Sequence, residues 1–281
     1  MRGRSIIEAI SLFVAITAAQ YLIPGIYQLT RWESRVLGES YFLGLITLAT
    51  PLMVTVVTKK SLEDYGLIVR DWRVSFGRGL TGYFYLLLPN LTLFVMTVPS
   101  LEVTSLFVSL AVSVVTWIAM LLTLMHLSRG GGPHTRRNLI TVIILLGAPL
   151  IFTVLYGSFN IRLASIVVWE IVFGGVANEV LYRGFMQGRV NEEYGRPWKL
   201  MSVSYGPGLV VSSALYGLAG AMSGLNPLRG QFALSIPVGI HGIALGLFLG
   251  FLREAAGDIG AGSVASGLSG AIGRLLMRAV S

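Results

Sequence analysis

Cysteine is absent from all 281 residues. That excludes disulfides, thiolate metal sites and cysteine nucleophiles. Charge is scarce too: Asp, Glu, Lys and Arg make up 12% of the chain, where a soluble domain carries about 25%. Histidine occurs only as His126, His134 and His241, and no two of these have the i, i+4 spacing that puts two imidazoles on one helix face. No internal repeat, low-complexity tail or soluble domain stands out.

Apolar residues are what the chain has in excess, at 54% of its length, with a mean hydropathy of +0.75. Such a composition predicts an all-α, polytopic membrane helical bundle forming a single domain over 1–281. Apolar segments run over 5–27, 40–58, 79–98, 104–127, 138–157, 161–183, 203–222, 232–252 and 259–279. Each approaches the roughly 20 residues that cross a hydrocarbon core, so eight or nine transmembrane helices are expected. The last segment is the weakest, because Gly260, Gly262, Gly267, Gly270 and Gly273 interrupt it. Small residues at that spacing let helix backbones approach closely.

The net charge of +8 would suggest nucleic acid in a soluble protein. In a membrane protein it reads as sidedness. Of the 21 Lys and Arg residues, 15 fall at the N-terminus and in the connections 59–78, 128–137, 183–200 and 253–258. The other 6 are Arg31, Arg35, Arg162, Arg229, Arg274 and Arg278. This predicts a multi-pass protein of the cell membrane with a cytoplasmic N-terminus, the lipid bilayer as partner and no nucleic acid. Arg2 and Arg4 precede an apolar run as in a signal peptide, but Thr17-Ala18-Ala19 is a poor cleavage site, so an uncleaved first span is expected.

Three connections carry local signals. Lys59 to Leu67 reads as an amphipathic helix on the membrane surface, with Ser61 as its N-cap and Glu63 and Asp64 in its first turn. The glycines of Arg129 to Arg137 lack the spacing and lysine of a phosphate loop and read as a solvated basic turn near anionic lipid. Arg196-Pro197-Trp198-Lys199 reads as an interfacial anchor, and the charges around Arg189, Glu192 and Glu193 as a solvated face.

Ionisable residues within spans need partners. Glu179 and Arg183, four apart, share one helix face and can pair. Glu170 lies nine residues before Glu179, about 2.5 turns of α-helix, which points the two carboxylates to opposite sides. Glu170 and His241 sit at matching depths, so a hydrogen bond or ion pair between them is expected.

The stretch Asn178-Glu179-Val180-Leu181-Tyr182-Arg183-Gly184-Phe185 resembles the first motif, E-E-x-x-x-R, of the CPBP family. These are intramembrane metalloproteases that include CAAX prenyl-processing and bacteriocin-processing enzymes. The basic segment 59–67 is also similar to one found in that family. Ser212 to Gly220 resembles the surroundings of the second motif, F-x-x-x-H, with Tyr216 at the aromatic position and Gly220 at the histidine. Gly246, Gly250, Arg253 and Gly257 resemble the approach to the third, H-x-x-x-N/D, whose positions hold Gly267 and Ala271. The resemblance covers residues 60–275. It implies the CPBP fold and, in active members, a Glu, two His and an Asn or Asp around a catalytic centre within the membrane.

Four reactive positions are thus Asn178, Gly220, Gly267 and Ala271. Asparagine cannot serve as a general base, and a catalytic zinc takes about three protein ligands. The resemblance therefore implies no intact catalytic set, no metal and no cofactor. A catalytically inactive, CAAX-protease-like structural or regulatory subunit of a membrane complex is expected, with other membrane proteins as partners. Glu179 and Arg183 would persist as a structural pair, and the ancestral cavity as a helix contact or small apolar pocket. Two alternatives remain open. One is a divergent CPBP endopeptidase using Glu179 as base, with His241 or a residue from a partner. The other is a transporter or lipid-binding protein centred on Glu170 and His241.

Overall fold

A computed structural model describes residues 3–97, 106–129, 135–155, 160–225 and 230–280. The glycine loop 130–134, with His134, lies outside the described residues, as does Arg229. The chain forms a helical membrane bundle. Its elements begin with α1 (Arg4–Leu22), α2 (Pro24–Val36), α3 (Tyr41–Val57), α4 (Trp72–Thr97), α5 (Leu106–Ser128) and α6 (Thr135–Leu155). They continue with α7 (Ile161–Trp169), α8 (Gly188–Tyr194), α9 (Pro207–Ala221), α10 (Ile236–Ala256) and α11 (Gly260–Val280). Among the described residues, four helices are long and apolar enough to cross a membrane: Arg4–Leu22, Leu106–Ser128, Ile161–Tyr194 and Ile236–Ala256. Tyr41–Val57 is a shorter apolar helix. Four of the eight or nine expected spans therefore have the length and composition of a crossing helix among the described residues.

Local chemistry sets the boundaries. The apolar run 5–27 is divided, because Pro24 opens α2 at its first helical position, where its missing N–H costs nothing. Ser40 caps α3 by accepting from the Leu43 N–H at 3.2 Å. Asn160 caps α7 by accepting from the Leu163 N–H at 2.9 Å.

Two connections differ from expectation. Residues 59–67 form turns rather than a surface helix. Lys59 (φ 54°) and Gly66 (φ 67°) both take left-handed backbone, which breaks a helix at each end. Ser61 Oγ still accepts from the Asp64 N–H, at 3.3 Å. The Gly66 carbonyl accepts from the Ile259 N–H at 3.0 Å, tying this turn to the entry of α11. The expected anchor 196–199 instead runs into an antiparallel hairpin, β1 (Trp198–Leu200) with β2 (Val203–Tyr205), and α9 begins only at Pro207.

Between α7 and α8 the chain does not stop but changes winding. Glu170–Ala177 and Glu179–Gln187 are π-helical, inside one continuous helix Ile161–Tyr194. Such i→i+5 winding is rare and concentrates at functional sites. Against it lies α11, the glycine-interrupted segment. A Cβ placed on Gly175 would stand 2.7 Å from the Ser263 carbonyl oxygen and 3.1 Å from Gly267 Cα. One placed on Gly267 would stand 3.1 Å from the Ile171 oxygen. On the other side, α9 and α10 meet the same way: a Cβ on Gly246 would be 2.9 Å from Ser213 Cα. Core side chains Leu80, Phe248, Leu249, Leu252, Ala265 and Ile272 join α4, α10 and α11 behind these contacts.

Because the neighbour at Gly175 is backbone, which has little freedom to give, Gly175→Ala is expected to lower the unfolding temperature in detergent. Overpacking of this kind costs about 1–3 kcal/mol. Gly25→Ala, where nothing beyond the glycine's own helix turn lies within 4 Å of the added carbon, is expected not to lower it.

Candidate functional site

Every fourth residue through the π-helical stretch and into α8 is polar: Glu179, Arg183, Gln187 and Asn191. All four are buried, Glu179 and Gln187 completely. Three of them reach α10 with a constant offset of 63 residues. Arg183 Nη2 donates to the Gly246 carbonyl at 3.4 Å. Gln187 Nε2 donates to the Gly250 carbonyl at 3.3 Å, and Asn191 Nδ2 to Glu254 Oε1 at 2.8 Å. The two helices therefore run side by side in the same direction and in one register. Glu254 gathers further donors: Gln187 Nε2 at 2.7 Å, Arg253 Nη1 at 3.0 Å and Arg196 Nε at 2.6 Å.

At the deep end of this ladder, Arg183 Nη1 approaches Glu179 Oε1 to 3.1 Å. The approach is an ion contact without hydrogen-bond alignment, so both Glu179 oxygens stay buried with no donor. The Arg183 guanidinium lies over the Tyr216 ring at 4.5 Å and beside Tyr182 at 5.8 Å, and the two rings meet edge to face at 5.0 Å. A desolvated cation over aromatic faces is stabilised by their quadrupoles. Arg183 thus joins the π stretch to both α9 and α10. Glu179 faces α11, where a side chain on Gly262 would collide with its Oε2.

The other motif positions lie in helix contacts. Asn178 turns back on its own helix, its Nδ2 donating to the Gly174 carbonyl at 3.4 Å. A Cβ on Gly220 would sit 3.3 Å from the Val238 oxygen, Gly267 abuts Ile171, and Ala271 is fully buried. Among the described residues, no three His, Cys, Asp or Glu side chains gather into a metal-holding group. Glu179 brings one carboxylate, and its surroundings are a guanidinium, two phenols and glycines. That donor set does not fit a divalent cation, which takes about three protein ligands.

Glu170 does not meet His241. Its Oε1 pairs with Arg274 Nε at 2.9 Å, and Arg274 Nη2 pairs in turn with Glu39 Oε1 at 2.6 Å. The reason is that α11 covers this face of the π stretch: a side chain on Gly270 would collide with Glu170 Oε2. Burial pushes the Glu39 carboxyl upward, against the pull of Arg274. His241, on α10, keeps Nδ1 buried without a hydrogen-bond partner. Nor do the two carboxylates point apart. Gly262 and Gly270 of α11 stand against Glu179 and Glu170, so both carboxylates face that helix, as the wider i→i+5 winding between them allows. The midplane pair required by the transporter alternative is not formed.

Beyond the ladder, the charges expected to be solvated form a lock. Glu193 accepts from the backbone N–H groups of Gly3 at 2.6 Å and Ser5 at 2.9 Å, closing the first turn of α1. Arg189 bridges Glu8 at 2.5 Å and Glu192 at 3.0 Å. Lys60 and Tyr65 also bind Glu192, Tyr65 by donating at 2.8 Å. Burial, and then this bond to a carboxylate, push the Tyr65 phenol upward, so it remains a donor.

The buried Glu179–Arg183 pair yields a double-mutant prediction. Arg183→Met strands a buried carboxylate and should cost about 3–5 kcal/mol of stability in detergent unfolding. Glu179→Gln combined with Arg183→Met should recover much of that loss, because no lone charge remains.

In a comparison with known families, residues 160–269 match the family model described as "Type II CAAX prenyl endopeptidase Rce1-like". No curated protein and no solved structure matches the chain. The matched segment, which is similar to that family and spans less than half of the chain, holds the polar ladder, the Tyr216 platform and the Gly267 contact.

Proposed function

We propose that this protein keeps the CPBP scaffold without its catalytic set and serves as a structural or regulatory subunit of a membrane complex. The supporting observation is what occupies the motif positions. Gly220 and Gly267 face neighbouring backbone at 3.3 Å and 3.1 Å measured from an added Cβ. A histidine at either would need space that another helix fills. Asn178 bonds within its own helix, and Glu179 is engaged with Arg183. In this reading Glu179 and Arg183 hold the bundle together and take no part in proton transfer.

A second reading, a divergent CPBP endopeptidase, is favoured by one observation: both Glu179 oxygens are buried without a donor. A carboxylate in that state is one a reacting water would complete. Incubating purified protein with prenylated peptides and with membrane substrates separates the two readings. Under the first, neither the wild type nor Glu179→Gln cleaves anything, and a membrane protein copurifies with the wild type. Cleavage by the wild type that Glu179→Gln abolishes would establish the second.

The same proposal includes placement in the cell membrane with a cytoplasmic N-terminus, supported by 15 basic residues on one side against 6 on the other. The chain contains no cysteine, which makes single-cysteine labelling clean. Lys199→Cys should react with a membrane-impermeant maleimide only after the cells are opened. Arg35→Cys should react in intact cells. The reverse pattern would invert the topology.

A further inference from the structure

A second polar site lies past the ladder, where the ends of α4, α5 and α10 meet the hairpin. There a cavity of about 550 Å³ is lined by Arg78, Arg196 and Arg253, by Asp64 and Glu254, and by Ser202 with neighbouring hydroxyl and apolar groups. That volume falls within the roughly 300–1,000 Å³ of small-molecule sites. Three guanidinium groups face two carboxylates, and one of those carboxylates is already committed. Glu254 is held by Gln187, Asn191, Arg253 and Arg196 together.

The arginines are not matched in kind. Arg78 has no acidic partner among the described residues. Its Nη1 donates to the carbonyls of Ala255 at 3.1 Å and Ala256 at 3.2 Å, the free end of α10. Arg253 is 2% exposed, with Nη2 on the Tyr65 carbonyl at 3.1 Å and Nη1 on Glu254. Its Nε is buried with no partner. That N–H is closed to water, so toward the cavity Arg253 contributes its charge and not a direct Nε bond.

We propose that this cavity binds a phosphate-bearing anion, with Arg78 as its principal cationic contact and the buried Arg253 adding positive charge behind it. Guanidinium forks match phosphate oxygens two by two, which a carbonyl or water does less well. The source is an acidic lipid headgroup or a free phosphate, since basic pockets at helix ends serve both chemistries. The site is separate from the Glu179 centre and does not depend on whether that centre is catalytic.

The test uses the full-length protein in neutral detergent, with phosphatidylglycerol, phosphatidylcholine and inorganic phosphate as probes. Binding is read by native mass spectrometry and by the shift in unfolding temperature. One equivalent of phosphatidylglycerol or of phosphate should bind saturably, and phosphatidylcholine at least ten-fold more weakly. Saturation by phosphate alone assigns the free anion, and saturation only by phosphatidylglycerol assigns the headgroup. Arg78→Gln and Ser202→Glu should each weaken binding at least ten-fold, while Arg162→Gln, at the opposite end of the bundle, should not. Ser202 is exposed on the hairpin turn, so its variant decides the matter even if Arg78→Gln does not fold. Absence of saturable binding by both anions, or equal binding by wild type and Ser202→Glu, would overturn the proposal.

Discussion

A buried guanidinium needs compensating charge and aromatic faces around it, and Arg183 sets the terms for the helices around it. Its carboxylate partner sits four residues earlier, its carbonyl acceptor on α10 and its aromatic platform on α9. In a medium without water, a one-residue slip of α10 would leave these charges and carbonyls unpaired together. The constant offset of 63 residues, repeated by Gln187 and Asn191, is the visible result. Glu254 closes the ladder where the helices emerge, and its set of donors anchors the register at that end.

The rest of the centre is built by removing side chains rather than by adding them. Gly175 and Gly267 let α11 lie directly on the π-helical stretch, and Gly246 lets α10 lie on α9. Where a side chain on α11 would strike a carboxylate, at Gly262 and Gly270, glycine leaves room for Glu179 and Glu170. Dispersion between closely spaced backbones replaces the hydrophobic effect as the binding force in lipid. In the proposed reading, the glycines at positions 220 and 267 stand where the resemblance would place imidazoles, and the same absence of side chains lets the helices close on one another.

Much of this is legible in the amino-acid sequence. Glu179 and Arg183 declare their pairing by spacing, and the glycines of the last segment announce close packing. The resemblance to the CPBP family is carried by the motif around Tyr182 and around Tyr216. Gln187 and Asn191 were missed, although they continue the four-residue polar stripe that Glu179 and Arg183 begin. Depth matching misassigned Glu170 because it compares positions along the membrane normal and says nothing about which helix is adjacent; α11, not α10, lies there. The π winding was invisible because its altered period arises from packing, and it reversed the relative direction of Glu170 and Glu179. The turns at 59–67 depend on a left-handed Lys59, which composition does not disclose.

The claim that matters most is that the motif positions lie inside solid helix contact and not beside a water-filled chamber. Ala271 offers the cleanest probe, since it is fully buried and Ala→Cys changes its volume little. In a chain without native cysteine, the reactivity of that single thiol toward a small water-soluble methanethiosulfonate reads water access directly. A closed centre predicts no modification under conditions that fully label Lys199→Cys. Modification of Ala271→Cys at a comparable rate would mean that water reaches the site, and the closed-contact account would fail.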